Sequence, residues 1–306
     1  MKYWAGVDVG GTKTHTIVVD VDGNIAAQTR APTGKGGDRV VDAVVGGLVD
    51  VAAKLRIEVD GFAGVGVGIP GAVDARAGTV SHALNIGVEH LDLRARIRHR
   101  LGVCITLEND VKAATLGASK QMNHPTTPLA YLNLGTGLAA GLVLGGRLWR
   151  GNSGTAGEIG HIPVDPQGHL CSCGQRGCLE TSASGAAVAR EWPTKSGSAI
   201  TSLLSAVEDG DPAASRVLGV VADRVATAVK VLVLTVDVGT VVLGGGLASA
   251  GDRLRSAVAT SLDRDALDSV FLASLGLSNR VVLVPDPATV GALGAAIVGS
   301  EGSGDY

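Results

Sequence analysis

Three of the chain's four cysteines, Cys171, Cys173 and Cys178, lie within eight residues in GHIPVDPQGHLCSCGQRGCLET, residues 160–181. Thiolates separated by one residue and then by four can converge on a single cation if the loop folds back, and Gly174 and Gly177 permit that fold. Structural zinc takes four ligands in a tetrahedron. His161, ten residues before Cys171, is the natural fourth, and His169 competes for the place. The two-residue gap of ordinary zinc fingers is missing, and a redox or catalytic cysteine is the rival reading. A metal-bound imidazole donates its second N–H to an oxygen. For His161 a substrate hydroxyl can be that oxygen. The zinc would then be structural, with no open position for activated water.

Carboxylates gather around this cluster and elsewhere. Glu158 stands three residues before His161, a spacing that places both on one face of a helical turn. Glu180 closes the cysteine cluster. Carboxylates and an amide such as Asn109 suit vicinal hydroxyls, because each accepts or donates in a fixed direction. Glu108-Asn109-Asp110 follows the strand-like VCITL and precedes the helix-like VKAATLGA. An Asp at such a junction often serves only as an N-cap. A phosphoryl-transfer enzyme also needs a base there to accept a hydroxyl proton.

Three glycine loops share one chemistry: Asp8-Val9-Gly10-Gly11-Thr12-Lys13, Leu134-Gly135-Thr136-Gly137 and Leu243-Gly244-Gly245-Gly246. Each follows an apolar strand. Glycine lets backbone N–H groups approach phosphate oxygens, and threonine adds a hydroxyl. Neither a Walker loop nor a clean dinucleotide fingerprint is present. Tight turns would explain any one of them; three together point to nucleotide phosphate. Asp8 can hold Mg²⁺ through water or accept N–H bonds in its own turn.

These residues need a frame. Residues 3–9 read as a strand, and HTIVVDVDGNIAAQTR as two more about an Asp22-Gly23 hairpin turn. Residues 38–55 have helical periodicity, GFAGVGVGIPGAVD is a buried strand running into a turn, and 91–101 and 111–120 look helical. The segment 129–151 repeats the strand, Gly-Thr turn, strand and hairpin glycine of 5–25. That repeat suggests two related halves with a ligand between them. Helices near 183–192, 198–208 and 212–234 follow, then a strand TVVLGGGLA entering a helix, a strand RVVLVPD, and a closing helix of small residues at 288–300. Alternating strands and helices define an α/β protein. The tail EGSGDY is expected to fray.

Composition limits the partners. A net charge of −3 gives no electrostatic case for nucleic acid or an anionic membrane, and 3% aromatic residues provide no stacking platform for single strands. The longest apolar run, VLVLTV, is too short to span a bilayer. With no secretory pattern at the start, a reducing cytoplasmic location is expected, where clustered cysteines more often bind metal than form disulfides. Cys104, alone in LGVCITL, is expected to be a buried small hydrophobe.

DVGGTKT, GIPGAVD, LENDVKAATLGA, LGTG, GTAGEIGHIPV and CSCGQRGCLET, in this order, resemble the ROK family of sugar kinases and repressors across nearly the whole chain. The resemblance implies an actin-like ATPase/sugar-kinase fold with ribonuclease H-like repeats, as two α/β domains around a cleft: residues 1–116 plus 291–306, and 117–290 carrying the zinc loop. It implies ATP and Mg²⁺, with transfer to a hexose or amino-sugar hydroxyl, commonly the 6-hydroxyl. It makes Asp110 the general base and places Asn85, Asn109, Asp110, Glu158, His161 and Glu180 on the sugar, with Gly71 approaching by its backbone. His161, Cys171, Cys173 and Cys178 would bind zinc. Asp8, Gly10, Gly11, Thr12, Lys13, Gly135, Thr136, Gly137, Gly244, Gly245 and Gly246 would face the nucleotide. Dimers or tetramers are expected.

The chain departs from the family where Leu138-Ala139-Ala140 precede Gly141, a place where more glycines are common. A sugar-sensing repressor of the same family would carry an added N-terminal helix-turn-helix and would not need the phosphate loop or Asp110. A polyphosphate-using glucokinase is the other alternative. Its basic candidate, Arg94, Arg96, Arg98 and Arg100, spreads over different helix faces, as a solvated surface does.

Overall fold

The computed structural model describes residues 2–123 and 127–301; the tail expected to fray, 302–306, lies outside the described residues. The chain forms two compact units, Met1–Asn123 with Ala288–Tyr306, and His124–Pro287. The boundary read at 116/117 falls inside a helix that belongs wholly to the first unit.

The first unit opens with β1 (Trp4–Val9), β2 (Lys13–Val19) and β3 (Ile25–Pro32), followed by α1 (Gly37–Leu55). Next come β4 (Gly64–Ile69), β5 (Ala72–Asp74), β6 (Thr79–Ala83), β7 (Val88–Asp92), α2 (Leu93–Leu101), β8 (Thr106–Asn109) and α3 (Asp110–Met122). Its main sheet runs β3-β2-β1-β4-β8. The β1–β2 and β2–β3 pairs are antiparallel, and β1–β4 and β4–β8 are parallel.

The second unit contains β9 (Leu129–Leu134), β10 (Leu138–Leu144) and β11 (Arg147–Leu148), then α4 (Glu180–Ala183), α5 (Gly185–Glu191), α6 (Ala199–Glu208) and α7 (Pro212–Val236). It ends with β12 (Thr240–Gly244), α8 (Asp252–Leu267), α9 (Val270–Leu275) and β13 (Val281–Leu283). Its sheet, β11-β10-β9-β12-β13, repeats the first in order and in direction. The repeated strand–Gly-Thr–strand hairpins of the sequence are thus the first two strands of two like sheets. This duplicated α/β unit is the actin-like sugar-kinase fold.

The chain closes with α10 (Val290–Glu301), which returns to the first unit. Its small residues let backbone meet backbone. A Cβ added at Gly294 would fall 1.6 Å from the Ala113 carbonyl oxygen of α3, and one at Gly66 of β4 would fall 1.9 Å from that of Ala295. Helix α7 starts cleanly because Asp211 accepts the N–H groups of Ala213 and Ala214, with Pro212 in its first turn. Among the described residues no helix is long and apolar enough to cross a membrane.

Several sequence expectations need correction. The expected helix at 91–101 begins only at Leu93, because Asp92 caps it by accepting the Ala95 N–H; residues 88–92 are strand β7. Strands β5, β6 and β7 form a second, three-stranded sheet in the first unit. After TVVLGGG the chain makes a 3-10 turn, Gly246–Ala250, before α8. Cys104 is exposed, not buried. Its neighbours Val103 and Ile105 take the core positions, so alternation turns the thiol outward. The α2 arginines are not simply solvated: Arg94 donates to the carbonyls of Ala75, Arg76 and Ile105, and Arg96 and Arg100 pair with Asp38 and Asp42 of α1.

Candidate active site

In the first unit the candidate residues cluster at the carboxyl ends of β1, β4 and β8. Asp8 is the penultimate residue of β1, and Asn109 and Asp110 stand where β8 becomes α3. The cap of α3 is Asn109, whose Oδ1 accepts the N–H groups of Val111 and Lys112 at 3.1 and 3.2 Å. Asp110 is therefore relieved of the capping role, and its Oδ1 takes the Val111 N–H at 2.9 Å. The Asn109 amide also donates to the Gly71 carbonyl at 3.2 Å. This ties the GIPG turn to the junction and leaves one amide hydrogen for a ligand. Gly71 has a φ of 100°, and a Cβ there would fall 2.6 Å from the Ser81 carbonyl oxygen, so only glycine fits.

Asp8 and Asp110 act on each other. Burial first, and the Asp110 charge second, push the Asp8 carboxyl from 3.8 up to about 7. Hard carboxylate oxygens of this kind are a donor set that fits a divalent ion such as Mg²⁺. The Asp8 carboxyl also packs against the start of α10, since a Cβ on Gly291 would sit 2.5 Å from its Oδ2. Beside it the first glycine loop turns tightly, Gly10 N–H donating to the Lys13 carbonyl at 3.0 Å. Thr33 holds the loop from behind through Gly10 O and Thr12 O. Gly11, Thr12 and Lys13 are exposed at the tip. Asn85, in a 3-10 turn at Leu84–Ile86, lies beside them, its Nδ2 3.8 Å from a Cβ built on Gly11.

In the second unit the cysteine loop folds back as its glycines allow. Gly174 and Gly177 have φ of 89° and 72°, and Cys171 N–H donates to the Gln175 carbonyl at 2.8 Å. One ligand atom each from His161, Cys171, Cys173 and Cys178 falls within 4.8 Å of every other. His161 Nδ1 is 3.6 Å from Cys171 Sγ, and Cys173 Sγ is 3.7 Å from Cys178 Sγ. Tetrahedral zinc with bonds of about 2.0–2.3 Å requires ligand separations of about 3.5–3.8 Å, so the donor set fits that metal. His169 is elsewhere, paired with Glu191 at 3.2 Å. The thiols differ: the Gln175 backbone N–H, then its side-chain amide, holds Cys173 down to about 6, whereas burial pushes Cys178 up to about 12. A divalent cation would draw both to the thiolate.

Because Nδ1 of His161 faces the thiols, Nε2 is left for another partner. Glu158 N-caps a 3-10 turn, Ile159–His161, and residues three apart eclipse in that geometry. The turn is seated on β10, where Cβ atoms on Gly157 and Gly160 would fall 1.8 and 1.9 Å from the carbonyl oxygens of Ala140 and Leu138. Glu180, the first residue of α4, accepts the Leu138 N–H at 3.0 Å.

The second and third glycine loops are neighbours. They end the parallel strands β9 and β12, where Gly244 pairs with Asn133. A Cβ on Gly245 would fall 2.6 Å from Asn133 Oδ1 and 2.8 Å from the Gly135 N. Thr136 is exposed at the turn, and nothing lies within 4 Å of a Cβ on Gly246. The departure Leu138-Ala139-Ala140 is the start of strand β10, so it does not lengthen the loop. Sequence reasoning missed Asn133, which separates the two loops, and Gly185, whose N–H holds the Gly135 carbonyl at 2.7 Å. The run YLNLGTG carries the first signal; Gly185 has none, since its role depends on a contact fifty residues away.

The ROK family model matches residues 4–298. The glucokinase of Streptomyces coelicolor is 38% identical over 188 residues, 60% of this chain and 57% of that protein. The glucokinase of Thermotoga maritima is 30% identical over 97% of this chain and 96% of its own length. The crystal structure of a ROK family glucokinase from Streptomyces griseus, in complex with glucose and AMPPNP, superposes with a TM-score of 0.82 at 28% identity, covering 98% of this chain and 99% of that one. With its duplicated fold, its His/Cys cluster and a family match over residues 4–298, the chain belongs to the ROK family.

Proposed function

We propose that this protein transfers the terminal phosphoryl group of ATP to a hexose hydroxyl, with glucose the first candidate and its 6-hydroxyl the acceptor. The reading rests on one observation above others: Asp110 stands at a rigid strand–helix junction whose capping is done by Asn109, and its charge bears on Asp8. A carboxylate so placed is suited to take a hydroxyl proton, and its partner to hold the cation of the nucleotide. The glucose and AMPPNP of the Streptomyces griseus structure support the substrate pair.

In this account Asn85, Asn109, Glu158, His161 Nε2 and Glu180 orient the sugar, and Gly71 approaches it by its backbone. Asp110 receives the proton of the attacking hydroxyl late, because the transition state of phosphoryl transfer is loose. Asp8 would hold Mg²⁺, which neutralises phosphate charge when bound. The loops Gly10 to Lys13, Gly135 to Gly137 and Gly244 to Gly246 would face the phosphates, with backbone N–H groups other than that of Gly10, which closes its own turn, directed to phosphate oxygens. His161, Cys171, Cys173 and Cys178 would hold zinc, which fixes the direction of the imidazole and the loop carrying Glu158. A metal-binding thiolate cluster suits a reducing compartment, the cytoplasm.

A coupled ADP-release assay with Mg-ATP over glucose, N-acetylglucosamine, N-acetylmannosamine, fructose and allose tests the proposal. Turnover with glucose or another hexose is the expected result. Silence across the panel, with sugar binding retained, would replace the kinase by a sensor, and a salt-dependent gel shift on genomic fragments would then identify a repressor. Rapid turnover with polyphosphate but not ATP would overturn the donor assignment.

A further inference from the structure

Glu180 engages two parts of the second unit with one carboxylate. Its Oε2 accepts the N–H of Leu138 at 3.0 Å, and Leu138 directly follows the Gly135–Gly137 turn as the first residue of β10. The same oxygen occupies the space a side chain on Gly137 would take. A Cβ built there falls 2.3 Å from Oε2, 3.2 Å from Cδ and 4.0 Å from Oε1. Oε1 is thus the oxygen turned away from the glycine turn.

The segment around Glu180 is fastened on both sides. Before it, Leu179 N–H donates to Ile162 O at 3.0 Å, and Thr181 N–H to Cys178 O at 2.9 Å, which joins it to the cysteine loop. After it, Gly185 N–H donates to Gly135 O at 2.7 Å and Ala186 N–H to Thr136 O at 3.2 Å. Residues 178–186 therefore grip the glycine turn through Gly135, Thr136 and Leu138. Glu180 provides the side-chain grip of the three, the one that a ligand can strengthen or release.

Resting on the reading that this turn holds nucleotide phosphate and that Glu180 contacts sugar, we propose that Glu180 is the positioning residue that couples the two affinities. Oε2 fixes the Leu138 N–H and with it the Gly135–Gly137 turn; Oε1 accepts a sugar hydroxyl. A hydroxyl on Oε1 holds the carboxylate in the orientation that Oε2 needs, so bound sugar stiffens the nucleotide turn. Reciprocity requires that nucleotide tighten sugar by the same factor.

The test is calorimetric binding of ADP without sugar, and of glucose without nucleotide, to the full-length protein. In Glu180→Ala the turn loses its side-chain grip, and ADP affinity without sugar should fall about tenfold, the scale of one charge-assisted hydrogen bond. Glu180→Gln keeps a carbonyl oxygen for the Leu138 N–H, so ADP affinity should stay within about twofold while glucose affinity falls about tenfold. Bound-zinc content of both variants should match wild type, and both should remain folded at the assay temperature. Gly137→Ala approaches from the other side: its Cβ would collide with Oε2, so glucose affinity without nucleotide should fall although the change lies in the nucleotide turn. ADP affinity within twofold of wild type in Glu180→Ala, or unchanged glucose affinity in Gly137→Ala, overturns the coupling and leaves the kinase reading intact. A wild-type protein that binds neither ADP nor any hexose overturns both.

Discussion

Replacing Asp8 by Asn should stabilise the protein in magnesium-free buffer, and more so as pH rises. The folded protein holds the Asp8 proton up to about pH 7, whereas the unfolded chain releases it near 3.8. Stability linked to that proton is fully present below the unfolded value and is lost as pH climbs through the folded one. At about 1.4 kcal/mol per pKa unit the full penalty is about 4 kcal/mol, and about 2.5 kcal/mol of it develops between about pH 5 and pH 8. Asp8 is half-buried, so that last figure is a ceiling, and a widening of about 1–2.5 kcal/mol is expected. Asparagine keeps the shape of the protonated acid and never ionises. The gap in unfolding free energy between Asp8→Asn and wild type should therefore widen by that amount from pH 5 to pH 8 in urea titrations. Asp110→Asn should lessen the widening without abolishing it, since burial is the larger cause and the Asp110 charge the smaller. A gap that stays constant with pH, or narrows, would mean that Asp8 does not hold its proton in the folded protein.

Cys173→Ser should abolish bound zinc and weaken glucose binding; a full zinc equivalent by elemental analysis would contradict the ligand set. Gly160→Ala places a Cβ 1.9 Å from the Leu138 carbonyl oxygen, which lifts the turn carrying Glu158 and His161; turnover should fall on the order of a hundredfold, and an unchanged rate would mean the turn's seat on β10 does not matter. Gly294→Ala would put a Cβ 1.6 Å from the Ala113 carbonyl oxygen, and the forced separation of α10 from α3 should cost about 3 kcal/mol; an unmoved urea midpoint would contradict the backbone contact described.

The parts of this protein that announce themselves in sequence are those whose signal is local. The two Gly-Thr hairpins are legible because turn chemistry and strand alternation occur within one stretch, and they mark the duplicated sheets. The cysteine loop is legible because all four candidate ligands lie within eighteen residues, 161–178. What could not be read depends on contacts distant in the chain. The hairpin β6–β7 hides in polar residues around Asn85, and its Gly87 turn looks like any loop glycine. The exposure of Cys104 is decided by which of its neighbours reaches the core. The division of labour between Asn109 and Asp110 becomes visible only when the amide is seen accepting two N–H groups of α3 and donating to Gly71. The contact of Glu180 with Leu138 spans forty-two residues and has no local pattern.

Asp110→Asn offers the most direct measurement: turnover and glucose affinity determined side by side on the same preparation. Glucose affinity should stay within a few-fold of wild type while turnover falls by about 10²–10⁴-fold, the usual contribution of a general base. Turnover near wild type would remove Asp110 from that role, and with it the mechanism.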